Sequence, residues 1–233
     1  MQATTELLVG VDVAGRTVLK RTHCEVPLIV RVGESCDATM TLAFVNGSAG
    51  PLGGDELLLS VVVEDGASVR VRSVGASMVQ PGTTVADSWL RTTLEVGADA
   101  VVDWQFEPTV SVAGSRHRSS TLLYLAATSS LRFCETVCLG RFEEQPGTLA
   151  VHQRLVVGGI AVLDHETVFG VGALRGPGGH GGYRVHRSTV LVADDAPVAP
   201  IAQVTAEACV GIFPLMIRTA LVTSSADALA KLV

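Results

Sequence analysis

Lysine is nearly missing from this chain: Lys20 and Lys231 stand against fifteen arginines. Protein interfaces are also poor in lysine and rich in arginine, although a GC-rich genome that favours arginine codons would leave the same mark. Charge of either sign is sparse. Asp, Glu, Lys and Arg make up 17% of 233 residues, and the net charge is −6. The electrostatic footprint required to hold a phosphate backbone is therefore absent, which excludes nucleic acid as the expected partner.

Ordered cysteine spacing is missing too. Cys24, Cys36, Cys134, Cys138 and Cys209 form an odd set with no C-x-x-C pair, so reduced, packed thiols are expected rather than a zinc or redox site. Cys134 and Cys138 fall on one face of a strand but about 13 Å apart at strand rise, too far to chelate one ion. The most apolar stretches, 155–163 and 209–217, are well short of the roughly 18–20 residues of a membrane crossing. The opening MQATTELLVGVDVAG has neither the basic nor the apolar region of a secretory signal, so a cytoplasmic location is expected. No G-x-S-x-G elbow or Walker loop occurs, and an enzyme is not expected.

What the chain does have is apolar character, with 48% hydrophobic residues and a mean hydropathy of +0.42. It is arranged in short runs. LLLSVVV (57–63), closed by EDGA (64–67), reads as a strand covered on both faces and then a turn. SVRVRSV (68–74) alternates, with one wet face, and pairs with it as a hairpin. WLRTTLEV (89–96), Gly97-Ala98-Asp99 and AVVDWQF (100–106) repeat that unit about 31 residues later, which points to stacked hairpins. Further strands are expected at 120–126, 131–139, 148–157, 160–169 and 183–193. The glycine-rich run GPGGHGG (176–182), with His180, reads as a hairpin tip. Segments 197–209 and 218–233 are alanine-rich, with Ser225 or Asp227 able to cap a terminal helix. The expected fold is all-β with a small α-helical C-terminal part: a β-rich core over 1–196 and a helical segment over 197–233 packed on the same domain.

The run NGSAGPLGGDELLL (46–59) resembles the signature of the UreD (UreH) family of urease accessory proteins, in which an Asn and a glycine-rich turn lead into Gly-Gly-Asp and an apolar strand. EDGASVRVRSVGASMVQPG (64–82), EVGADAVVDWQFEPTVSVAGS (95–115) and CETVCLGRFEEQPG (134–147) are similar to later blocks of that family, in the same order. Two departures stand out: Ser48-Ala49 replaces the expected glycine pair, and the expected proline-rich run near Trp104 is reduced to Pro108. The resemblance implies an elongated stack of β-sheets, β-helix-like or sandwich-like. It implies a non-enzymatic maturation factor that binds the urease apoprotein and UreF, and UreG through UreF. Such a factor conducts nickel transiently and holds no tightly bound cofactor.

A nickel path needs oxygen or imidazole ligands weak enough to release the ion. The candidates are Asp55, Asp103, Glu107, Glu135 and Glu144, with Glu143 beside them; each also has a plain reading as a structural or surface carboxylate. Asn46, Gly47, Gly50, Gly53 and Gly54 form the structural turn. Arg141 is a candidate partner for a buried Glu135, because a buried charge needs one. Met78, Ile212, Phe213, Leu215 and Met216 are candidate partner-facing apolar residues or, equally, a satellite core. The histidines, including His117, His152, His165 and His186, share no ligand spacing. A β-solenoid or sandwich that binds a partner unrelated to metal fits the strand pattern as well.

Overall fold

The computed structural model describes residues 1–33, 38–170, 184–193, 203–210 and 213–223, the last two stretches by backbone. The chain begins with β1 (Gln2–Val11), β2 (Thr17–Cys24), β3 (Leu28–Val32), β4 (Met40–Asn46) and β5 (Glu56–Val63). It continues through β6 (Ser68–Ser73), β7 (Ser77–Val79), β8 (Ser88–Val96), β9 (Val101–Gln105), β10 (Thr109–Ser111), β11 (Arg116–Leu125) and β12 (Ser130–Leu139). β13 (Thr148–Val157), β14 (Ile160–Phe169), β15 (Val185–Ala193), β16 (Gln203–Val210) and β17 (Phe213–Thr223) follow. Among the described residues there is no helix, and so none long and apolar enough to cross a membrane.

Two sheets share these strands. One has the order β14-β13-β11-β8-β5-β1-β2; the other runs β16-β17-β15-β12-β9-β6-β4-β3, with β10 and β7 continuing beside β12. From β5 to β13 the chain passes from one sheet to the other and back, and each return lays a strand parallel to its predecessor. Val63 faces Val96, Val96 faces Leu125 and Leu125 faces Val157, steps of 33, 29 and 32 residues. These are solenoid coils.

The echo near 31 residues thus marks coils, not stacked hairpins. β5 and β6 never pair; they belong to opposite sheets, as do β8 and β9. A hairpin and an arch between sheets leave the same local trace, two alternating strands around a glycine turn. Here the arches stack on one another: Gly66 N–H donates to Ala98 O at 2.8 Å, Ala98 N–H to Asp65 Oδ1 at 2.8 Å, and Asp99 N–H to Thr128 Oγ1 at 3.0 Å. Gly97 is needed for this stacking, since a Cβ there would lie 2.3 Å from Asp65 Oδ1 and 2.7 Å from its amide nitrogen. LLLSVVV is also not covered on both faces: Leu57, Leu59, Val61 and Val63 are buried, whereas Leu58 is 42% exposed. Adjacent parallel strands force one face inward whatever the composition of the other.

The strands over 120–126, 131–139, 148–157, 160–169 and 183–193 are present with small shifts of boundary, although Tyr183 and the GPGGHGG run lie outside the described residues. Part of the segment expected to be helical is strand instead. Residues 203–210 and 213–223 pair as β16 and β17, and β17 runs parallel to β15 over nine positions. Extension of an existing sheet by a run holding Ile217, Thr219, Val222 and Thr223 outweighs the helix preference of its alanines. The capping residues Ser225 and Asp227 lie outside the described residues.

The core lies between the sheets. Four of the ten aromatic residues, Phe44, Trp104, Phe106 and Phe133, cluster there with ring centroids 5.0–6.0 Å apart. Around them pack Leu59, Val61, Leu94, Leu123, Leu131 and Leu155, each side chain worth about 1.5–3 kcal/mol of burial. A smaller cluster, Val137, Leu139, Leu149, Val151 and Phe169, sits further along the same strands.

Candidate functional site

Between the two apolar clusters the interior becomes polar. On β12, Glu135 comes between Phe133 of the large cluster and Val137 of the small one; on β13, Gln153 comes between Leu155 and Val151. Strand alternation turns both inward. Ser119 Oγ donates to Glu135 Oε1 at 2.9 Å, and Gln153 Nε2 donates to Glu135 Oε2 at 2.7 Å. Ser188 Oγ completes the chain by donating to Gln153 Oε1 at 3.0 Å. Ser119 and Gln153 come from one sheet, Glu135 and Ser188 from the other, so the hydrogen bonds bridge the interior.

Desolvation raises the pKa of Glu135, and the bonds from Ser119 and Gln153 only partly oppose it. Its described partners are both neutral. Nearby, Ser88 Oγ lies 2.9 Å from Nδ1 of His117, which is 3% exposed. Burial lowers the His117 pKa to about 4, against smaller upward effects of Ser88 and Asp87, so the imidazole is neutral at pH 7. Thr92 and Thr121 are buried cross-strand neighbours in the same layer, and His186 is buried against Phe169 at 5.0 Å.

The other candidate carboxylates are elsewhere. Asp55, before β5, is buried at 7% exposure, accepts from Leu52 N–H at 2.9 Å and pairs with the Met1 amino group at 2.8 Å. Asp103 lies on the outer face of its sheet, held by Arg72, by Gln105 at 2.7 Å and more loosely by Arg70 at 3.9 Å. Burial by itself would raise the Asp103 pKa, but the bonds from Gln105 and Arg72 bring it below the usual carboxylate value. Glu107 and Glu143 are exposed. Glu144 is gripped by Arg141, with Nε at 3.0 Å and Nη2 at 2.7 Å, which lowers its pKa to about 2. The expected Glu135–Arg141 pair therefore does not form. Arg141 sits on an exposed turn beside Glu144, three residues away and far easier to reach than the interior.

In the signature turn, Asn46 Nδ2 donates to Gly50 O at 3.1 Å, and Asn46 Oδ1 accepts from Ser48 N–H at 3.2 Å. Gly53 lies so close to the 82–86 loop that a Cβ would be 2.7 Å from Gly82 N and 2.9 Å from Ala86 O. Gly54 has φ +90°. Gly47 N–H donates to Pro27 O at 2.8 Å, and Gly50 precedes a cis proline. Met78, in β7, is 36% exposed. Phe213, Leu215 and Met216 fall in β17, where Leu215 is in register with Val185 and Met216 with His186; Ile212 lies outside the described residues.

Sequence patterning alone does not mark Ser119, Gln153, Ser188 or His117 as site residues. One signal exists for two of them: in RHRSSTLLYL the face that ends in Leu123 and Leu125 begins with His117, Ser119 and Thr121. Among the described residues no group of three or more His, Cys, Asp or Glu side chains is placed to hold a metal ion.

Comparison with known proteins bears on the whole chain. The family model described as UreD urease accessory protein matches residues 2–231. A protein of Streptomyces coelicolor named urease accessory protein UreD is 34% identical over 98% of this chain and 92% of its own length. Its namesake in Streptomyces avermitilis is 32% identical over the same shares, and one from Frankia alni is 38% identical over 66% of this chain and 58% of its own. With the family model spanning nearly every residue and the solenoid and signature turn in place, the chain belongs to the UreD family of urease accessory proteins.

Proposed function

We propose that in urease maturation this chain acts as a scaffold and not as a catalyst, binding the urease apoprotein and UreF, and UreG through UreF, while nickel passes through the polar layer between its sheets. Family membership supports the role in urease maturation. The nickel path rests on one observation: of the five candidate carboxylates, Glu135 alone faces the inter-sheet interior and is met there by neutral donors. Asp55, Asp103 and Glu144 are each held by a cationic group.

Such a layer suits a cargo ion that must leave again. Two carboxylate oxygens, hydroxyls and an amide give a divalent ion hard oxygen donors without the closed thiolate or imidazole cage that would trap it. The Ser119 and Gln153 bonds hold Glu135 in place until an ion replaces them. In this role nickel is cargo that passes through, not a resident metal.

The test is urease activation in cells supplied with nickel, with this chain wild type, Glu135→Ala, Glu135→Gln or Asp103→Asn. Both Glu135 variants are expected to lower activity and nickel per urease by about tenfold or more, the loss typical when one group around a metal is removed. Asp103→Asn should stay near wild type. Size-exclusion chromatography with UreF and UreG checks that the complexes still assemble. Full activation by Glu135→Ala would refute the path through this layer.

A further inference from the structure

Ser119 faces the interior, so its neighbour Ser120 faces outward, and on that outer face a different arrangement has formed. Ser120 Oγ lies 3.2 Å from Nδ1 of His152. His152 Nε2 lies 2.8 Å from Oδ1 of Asp164, whose Oδ2 accepts from Arg154 Nη1 at 2.8 Å. Three adjacent strands supply the three groups: β11 carries Ser120, β13 His152 and β14 Asp164. Hydrogen bonding to His152 brings the Asp164 pKa below its ordinary value, assisted by Arg154, so Asp164 is ionised at pH 7. An ionised Asp164 can only accept, so Nε2 carries a hydrogen, and Nδ1 is the ring nitrogen that faces the Ser120 hydroxyl.

We propose that Ser120 is an activated nucleophile, with His152 as its base and Asp164 as the positioning residue, acting on small esters that carry an anionic acyl group. A nucleophile within hydrogen-bond reach of a base, itself oriented by a third group, is the arrangement such chemistry requires. The Ser120 oxygen attacks the acyl carbon, its proton passes to His152 Nδ1, and the ester C–O bond breaks as the alkoxide leaves with that proton. Water then adds to the acyl-serine, giving a proton to Nδ1; the Ser120 C–O bond breaks, Ser120 recovers its proton and the acid is released.

Backbone N–H groups of β11 are committed to ladders on both sides, so the developing oxyanion is met by side chains. Arg91 is the cross-strand neighbour of Ser120 on the side away from His152. Arg118 precedes it by two residues on the same face, but Asp87 at 3.1 Å and Glu166 at 3.5 Å hold its guanidinium, so Arg91 is the cation placed to meet the oxyanion. Both guanidinium groups lie over the Trp89 ring, at 4.4 and 5.4 Å. Arg91 is ion-paired with Glu56 at 3.8 Å, a long and half-exposed pair, which an anionic substrate can displace at little cost. All of these side chains are partly exposed.

The test is reaction of the full chain with a fluorophosphonate, which forms an Oγ–P bond as fluoride leaves, followed by peptide mass spectrometry. Labelling is expected at Ser120, absent in Ser120→Ala and slowed on the order of 100-fold in His152→Gln, the usual worth of a general base. Turnover of p-nitrophenyl hemisuccinate should exceed that of p-nitrophenyl acetate, and Arg91→Gln should remove the preference. In Ser120→Cys, alkylation by iodoacetamide should be faster than in Ser120→Cys/His152→Gln, a difference that a purely structural hydrogen bond would not produce. Labelling elsewhere, or equal rates with and without His152, would overturn the proposal.

Discussion

The interior of this solenoid has two unlike halves built by the same strands. Near the arches, β8, β11 and β13 present Leu94, Leu123 and Leu155 to an aromatic cluster around Trp104. One inward row further along they present Thr92, Thr121 and Gln153, close to Glu135 and Ser188 of the opposite sheet. Alternation decides which residues turn inward; it does not decide their chemistry. The apolar half stabilises the fold by removing surface from water. In the polar half Ser119, Glu135, Gln153 and Ser188 are buried at tolerable cost because they find partners across the gap.

The contrast breaks most visibly at Trp104, which is 2% exposed and touches Phe44, Phe106 and Phe133. Trp104→Ala is expected to cost about 3–5 kcal/mol in urea denaturation, the range for large aromatic truncations in cores. Ser119→Ala, which removes one donor to Glu135, should cost about 1 kcal/mol. Comparable losses at the two positions would mean that the polar layer is as essential to the fold as the aromatic cluster.

Much of the stack is legible in the sequence and the rest is not, for identifiable reasons. The strands from 120 to 169 can be read because their inner faces alternate between turns that hold serine, proline or glycine. β1, β2, β3 and β4 escape such a reading, since TVLKRTHC and its neighbours carry little apolar contrast and β2 and β3 lie at sheet edges. The arches pass for hairpins because the partner of a strand is fixed by a register 29–33 residues away, not by the turn. Glu135 is legible as a candidate, yet its partners Ser119 and Gln153, and Ser188 behind Gln153, come from three other strands that no local pattern connects. The Ser120–His152–Asp164 arrangement is hidden in the same way.

Within the polar layer, His117 and Glu135 respond to pH with opposite signs. His117 has its pKa depressed from 6.5 to about 4. Between those values the unfolded chain binds the proton and the folded chain does not, so stability is lost as pH falls through that window, by about 3 kcal/mol in all. His117→Asn, which keeps a polar partner for Ser88, should remove this loss. Denaturation from pH 7 down to pH 4.5 would show wild type falling towards the variant, and parallel curves would show that His117 is protonated in the fold.

For Glu135 the sign reverses, because burial raises its pKa above the ordinary 4.5. Below 4.5 both folded and unfolded chains carry the proton, and the residue has no effect on the pH dependence. As pH climbs past 4.5 the unfolded chain ionises first, so the folded state loses stability until Glu135 itself ionises. Glu135→Gln retains a side chain of the same shape with no charge to bury. Its stability relative to wild type is therefore expected to increase with pH and then level off, the mirror of the His117 variant. A difference that stays flat from pH 4 to pH 8 would show that the Ser119 and Gln153 bonds fully compensate burial of the carboxylate, making the layer a preformed anionic site at every pH at which an ion would pass.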